Sequence, residues 1–180
     1  TRTLHAAVDS RLTMTAMIFA TILAAGMFSL VFIGLGGEER VAHILGNMPG
    51  GPSGALLFCM LFIFVLGFFF DWLEITLIIL PVFAPIIAGF AADFAPALGI
   101  EGLPLAEQKT MILLWFAVLV SVNMQTSFLT PPFGFALFFL KGSAPSSVRI
   151  SDIYKGIIPF VIIQLFGLAL LIAFPSIVTK

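Results

Sequence analysis

Charged residues divide this chain into long apolar stretches. Arg11 and Glu38 enclose the first stretch, and a helix over 13–35 within it is long enough to cross a hydrocarbon core about 30 Å thick. Turn residues then predict a surface connection over 36–54. The same apolar pattern predicts further membrane segments over 55–92, 110–140 and 157–178. The expected fold is therefore an all-α integral membrane protein with a single transmembrane domain over 1–180.

The second membrane segment, 55–92, consists of two uncharged blocks on either side of an acidic tetrapeptide that starts at Asp71. In a re-entrant hairpin, Asp71 and Glu74 at the tip would lie inside the membrane and would mark an ion or substrate path. If both helices cross the membrane, the same residues form a cytoplasmic turn. The prolines Pro81 and Pro85 favour the hairpin, because each removes a helix hydrogen bond that protein or water must replace.

The third segment, 110–140, predicts a broken helix, since an uninterrupted one would be about 46 Å long and would exceed the bilayer core. A helix that ends near Asn123 and another that starts at Thr130 would expose carbonyls that suit Na⁺ and amides that suit an anion. The alternative is a kinked helix whose polar side chains bond to neighbouring helices. The polar side chains and prolines of this region are Asn123, Gln125, Thr126, Ser127, Thr130, Pro131 and Pro132.

Composition excludes several classes of function. The chain is 61% hydrophobic and 9% charged, with a formal net charge of −1, so it offers no basic face for nucleic acid. A single cysteine, Cys59, excludes an internal disulfide and a multi-cysteine metal site. We find no residue pattern typical of hydrolytic or phosphate-binding sites, so we expect neither an enzyme nor an organic cofactor.

Two strings of residues resemble a known family. They are Gly67-Phe68-Phe69-Phe70-Asp71-Trp72 and the run from Asn123 to Leu137, which contains Thr130-Pro131-Pro132-Phe133-Gly134. Both resemble the large permease subunit of TRAP (tripartite ATP-independent periplasmic) transporters. The resemblance covers the C-terminal half of that subunit, and the second string is most similar to the subgroup for mannitol or chloroaromatic compounds. Since the chain begins with Thr1 rather than Met, we expect a fragment of a larger subunit.

The resemblance implies one repeat of an elevator-type transporter, with spanning helices, a re-entrant helical hairpin and a broken helix. It also implies that the hairpin tip and the unwound loop bind Na⁺ and substrate. The tip group would be Gly67, Asp71 and Glu74, and the loop group Ser127, Thr130, Pro131, Pro132 and Gly134. Among them, Ser127, Thr130 and Pro132 are the expected Na⁺ ligands.

The function that this implies is Na⁺-coupled symport of a small organic acid or similar solute, with Na⁺ as the coupling ion and no cofactor. A periplasmic substrate-binding protein would deliver the solute. The other expected partners are the small TRAP membrane subunit, the missing N-terminal half of the same subunit and the lipid bilayer of the bacterial inner membrane. Two alternatives are a non-transporting membrane scaffold or assembly subunit, and a proton-coupled carrier that uses Asp71 or Glu74.

Overall fold

The computed structural model describes residues 2–70, 72–130, 136–137, 140–141, 144–145 and 148–179. Helices joined by turns make up this part of the chain, and no strand occurs in it. The helices are α1 (Arg2–Gly34), α2 (Gly37–Gly46), α3 (Gly51–Leu66), α4 (Trp72–Gly89), α5 (Ala91–Leu98), α6 (Leu105–Leu129), α7 (Ile150–Ala173) and α8 (Ser176–Thr179).

Among the described residues, four helices are long and apolar enough to cross a membrane. They are α4, α6, α7 and the part of α1 from Ala7 to Gly34. The pair α2 and α3, bent by 119°, is either a fifth broken span or a re-entrant element. The expectation of an all-α, multi-pass membrane protein is confirmed.

A sharp turn separates α2 from α3. Gly50 and Gly51 have φ angles of +94° and +59°, which lie in the left-handed region that glycine adopts without a steric penalty. Pro52 follows within the first turn of α3, where its missing N–H costs nothing. The turn thereby lets α2, which lies in the predicted connection, pack across the start of α3.

The helix α4 changes its winding near its start. Residues Ile75–Ile79 form a π-helical turn, and an α-helix then continues over Leu80–Gly89. This irregular turn directly precedes Pro81, whose missing N–H interrupts the helical hydrogen bonds in any case. α4 therefore remains continuous enough to span about 27 Å, whereas the 16 residues of α3 span about 24 Å.

The central element of the fold is α6, which packs against α3, α4, α5, α7 and α8. Its buried side chains include Trp115 and Leu119, and the indole Nε1 of Trp115 donates a hydrogen bond to the Leu171 carbonyl of α7 at 2.9 Å. Packing on several sides fixes the last turn of α6, where the predicted polar residues lie.

Candidate functional site

The end of α3 touches the last turn of α6 without any intervening side chain. Gly67, which caps α3, is buried, and Ser127 is fully buried. A Cβ atom added to Gly67 would lie 2.7 Å from the Ser127 Cβ and would overlap its Oγ. Only glycine fits there, so one predicted tip residue, Gly67, contacts one predicted loop residue, Ser127. We call this contact the Gly67–Ser127 junction.

Three hydroxyl groups near the junction donate hydrogen bonds to carbonyls of their own helix. Thr126 Oγ1 donates to the Val122 carbonyl at 2.8 Å, and Ser127 Oγ donates to the Met124 carbonyl at 2.8 Å. Thr130 Oγ1 donates to the Thr126 carbonyl at 2.7 Å. Each hydroxyl hydrogen is thus engaged, while each oxygen keeps lone pairs for a cation or another donor.

These bonds also determine where α6 ends. The helix continues to Leu129, so the expectation that it ends near Asn123 is wrong. Side-chain hydroxyls and the Thr130 N–H, which donates to the Ser127 carbonyl at 3.2 Å, satisfy carbonyls that a helix end normally leaves without partners. Thr130 itself is extended, with φ −84° and ψ 126°. The partial negative charge of the helix end therefore falls beside the hydroxyl oxygens.

Asn123 makes a contact between helices that the sequence did not identify. Its side chain is 1% exposed, and its Nδ2 donates to the Met60 carbonyl of α3 at 2.7 Å. This bond ties α6 to α3, as the alternative of polar residues bonding to neighbouring helices predicts. The sequence gives no sign of Met60 as the partner, because 63 positions separate the two residues.

Two further predicted residues border other pockets. Gln125 is exposed and lines an open groove with Trp72 and Phe128. Glu74 is half-buried in the first turn of α4 and borders a small apolar pocket. The predicted site residues Asp71, Pro131, Pro132 and Gly134 lie outside the described residues.

The chemistry of the junction suits a hard monovalent cation. Within the described part of the chain, no group of three or more His, Cys, Asp or Glu side chains is placed to hold a metal ion. The atoms available at the junction are hydroxyl and carbonyl oxygens, which alkali and other hard cations prefer over transition metals. These oxygens are hard donors of the type that alkali cations prefer.

Comparisons with known proteins agree on one family. The chain is 28% identical over 169 residues to the sialic acid TRAP transporter permease protein SiaT of Haemophilus influenzae, which covers 91% of this chain and 24% of that protein. It is 27% identical over 163 residues to the ectoine TRAP transporter large permease protein TeaC of Halomonas elongata, which covers 91% of this chain and 33% of that protein. No solved structure matches the chain.

The chain thus spans about a quarter to a third of the length of these relatives. Residues 1–177 match the family described as tripartite ATP-independent periplasmic transporter, DctM component. The relatives are permeases, which confirms the expectation that the chain is not an enzyme. The chain belongs to the DctM component family of tripartite ATP-independent periplasmic transporters.

Proposed function

We propose that this chain forms the C-terminal repeat of the large permease subunit of a Na⁺-coupled symporter. The observation that carries the proposal is the Gly67–Ser127 junction, where a tight backbone contact meets buried hydroxyls at the end of a membrane helix. A helix C-terminus and hydroxyl oxygens together favour a cation at bilayer depth. The pair of α3 and α4 would act as a re-entrant hairpin that closes over the ion.

The cation would be held by oxygens of Ser127, Thr130 and Pro132, and the substrate would bind the amide end of the helix that the sequence predicts to start at Thr130. The ion would couple to the solute if the closed arrangement of α3 and α6 binds both better than the open one. The contact between Gly67 and Ser127 supports such a closed arrangement, because it leaves no space between the two elements.

The solute we propose is a small organic acid. Relatives named for sialic acid and for ectoine support this class. We keep the mannitol or chloroaromatic subgroup in the proposal. Its only support is the resemblance of the run from Asn123 to Leu137. Membership of the family supports a periplasmic binding protein and a small membrane subunit as partners, with the rest of the large subunit completing an elevator-type carrier in the bacterial inner membrane.

Uptake by the complete permease, reconstituted with its partners in liposomes, tests the proposal. We expect uptake to follow an imposed Na⁺ gradient, and the double variant Ser127→Ala/Thr130→Ala to raise the Na⁺ concentration for half-maximal uptake by about tenfold or more. Thr110→Ala is the matched control, since its hydroxyl makes the same bond to a carbonyl four residues earlier but lies at the exposed start of α6. Uptake that ignores Na⁺ would contradict the proposal.

The bond between Asn123 and Met60 favours a second candidate, a membrane scaffold whose polar residues only join helices. A scaffold binds no coupling ion, so replacing K⁺ by Na⁺ would leave its unfolding temperature unchanged. A third candidate, a proton-coupled carrier that uses Asp71 or Glu74, would show uptake driven by a pH gradient in the absence of Na⁺.

A further inference from the structure

An apolar cavity lies between α1, α2, α3 and α4, away from the Gly67–Ser127 junction. Its volume is about 300 Å³, and only apolar side chains line it, among them Phe32, Phe58, Phe62 and Phe83. Ligand pockets commonly measure about 300–1,000 Å³. With no polar group to hold a carboxylate, this cavity suits hydrocarbon rather than the organic acids proposed as substrates.

A charged patch on the surface of α2 lies next to this cavity. The patch consists of Glu39, Arg40, His43 and Ile44. Ile44 also lines the cavity, so that the hydrocarbon-lined space and the charged patch meet at one residue. A molecule that fills both must carry an apolar chain and a polar head that tolerates charges of either sign.

We infer that this composite site binds a phospholipid with a zwitterionic, primary-amine headgroup. One acyl chain would occupy the cavity, the phosphate would pair with Arg40, and the ammonium group would pair with Glu39. A lipid with only a negative headgroup would satisfy Arg40 but would face the carboxylate of Glu39. A quaternary amine would place bulky methyl groups where the carboxylate needs N–H donors.

The winding of α4 gives separate support for the site. Ile78 and Ile79, in the π-helical turn, both line the cavity, and Val82 in the next turn completes that wall. π-helical turns are rare, and they occur frequently at functional sites. The irregular turn therefore lies at the level where an acyl chain would lie.

Native mass spectrometry of the complete permease, released from a non-phospholipid detergent, tests the inference. Phosphatidylethanolamine, phosphatidylcholine and phosphatidylglycerol with identical acyl chains are the probes. We expect phosphatidylethanolamine to bind at least about threefold more tightly than the other two, the range that one exposed ion pair provides. Glu39→Gln should abolish the preference over phosphatidylcholine, and Arg40→Gln should weaken all three lipids. Lys109→Gln is the charge control.

Variants that fill the cavity test the position of the acyl chain. Val82→Trp and, at the more exposed mouth, Ile44→Trp should each lower the binding of every phospholipid by about tenfold. Ile162→Trp, on the exposed surface of α7, is the matched control and should have no effect. Circular dichroism identifies any variant that fails to fold. If Val82→Trp fails to fold, Ile44→Trp alone tests the position of the acyl chain.

Three results would overturn the inference. The first is equal binding of the three lipids, and the second is equal lipid binding by the parent protein and the cavity-filling variants. The third is that an uncharged detergent displaces bound lipid at the same concentration as phosphatidylethanolamine does. The last result would mean that the cavity accepts any hydrocarbon chain and that Glu39 and Arg40 recognise no headgroup.

Discussion

The helices α6 and α7 have nearly equal lengths, 25 and 24 residues, and both are apolar enough to span a membrane. They differ in their surroundings. In the most apolar window of α6, 44% of the residues are buried, against 6% for α7. Equal hydrophobicity thus serves two purposes: α6 organises the protein interior, and α7 presents most of its surface to lipid or to other protein.

The polar side chains of the two helices differ in the same way. Asn123 of α6 is paired with the Met60 carbonyl, whereas Oε1 of Gln164 in α7 is buried and has no hydrogen-bond partner among the described residues. A satisfied buried amide joins two helices, while an unsatisfied one costs free energy. The comparison teaches that a buried amide side chain in a membrane helix stabilises the fold only where the neighbouring helix supplies a hydrogen-bond partner.

The largest expected difference between the helices comes from truncating one leucine side chain in each. Leu119 of α6 is fully buried, whereas Leu165 of α7 is 42% exposed. Leu119→Ala should lower the free energy of unfolding by about 2–5 kcal/mol because it leaves a cavity. Leu165→Ala should lower it by less than about 1 kcal/mol. Unfolding in micelles measures both values, and equal losses would show that α6 is not the central helix.

Substitution of one glycine beside α6 and one glycine in α7 gives a second comparison of the two helices. Gly67→Ala should destabilise the protein by about 1–3 kcal/mol, because the new Cβ collides with Ser127. Gly167→Ala, on α7 with nothing within 4 Å, should stabilise it by about 0.5–1 kcal/mol through helix propensity. Adding Ser127→Gly to Gly67→Ala should relieve the collision. The free energy of unfolding of the double variant should exceed the value expected from adding the effects of the two single substitutions. If it does not, the Gly67–Ser127 junction is contradicted.

Replacing Asn123 or Gln164 by leucine should change the free energy of unfolding by a smaller amount, and in opposite directions in the two helices. Asn123→Leu should cost about 1–2 kcal/mol, since it removes the hydrogen bond to the Met60 carbonyl. Gln164→Leu should be neutral or stabilising, because an unpaired acceptor disappears. Thermal unfolding of the two variants checks this prediction. A larger loss for Gln164→Leu would mean that its oxygen has a partner.

The smallest effect concerns the bond that joins the two helices. Trp115→Phe keeps an aromatic ring beside Phe94 and removes the donor to the Leu171 carbonyl, so we expect a loss of about 0.5–1.5 kcal/mol. Amide hydrogen exchange should increase in the second half of α7 and remain unchanged in α3. Exchange that is unchanged in both helices would show that this bond does not hold α7.

Sequence reasoning could predict the fold class, because uncharged stretches of membrane length require helices to satisfy their backbone groups. It placed the end of the first half-helix near Asn123 and the start of the next at Thr130, whereas the structure has helix to Leu129 and extended backbone at Thr130. It missed the continuation of α6 to Leu129, since it treated Thr126 and Ser127 as polar interruptions. Their hydroxyls instead bond to carbonyls of the same helix, so both residues are accommodated within it.

The sequence could not predict the contacts between residues that are far apart along the chain. Asn123 could be recognised as an intramembrane polar residue, but its partner is a backbone carbonyl of an otherwise featureless apolar helix. α2 was likewise expected to be a surface connection, because ten residues with four polar side chains carry too weak a pattern to stand out. Such elements form because of their tertiary contacts.

The most direct test of the central claim measures whether Na⁺ binds where α3 meets α6. Thr126→Cys in a Cys59→Ala background, within the complete permease in membranes, is treated with a membrane-impermeant thiol reagent in Na⁺ or in K⁺. Thr126 is buried beside Ser127 and is not one of the three proposed ligands, so the variant keeps the proposed site. Our account predicts slower labelling in Na⁺, because the ion closes α3 over the end of α6, and no Na⁺ effect for the Ser121→Cys control on the exposed side of α6. Labelling of Thr126→Cys at the same rate in both ions, or none in either, would contradict it.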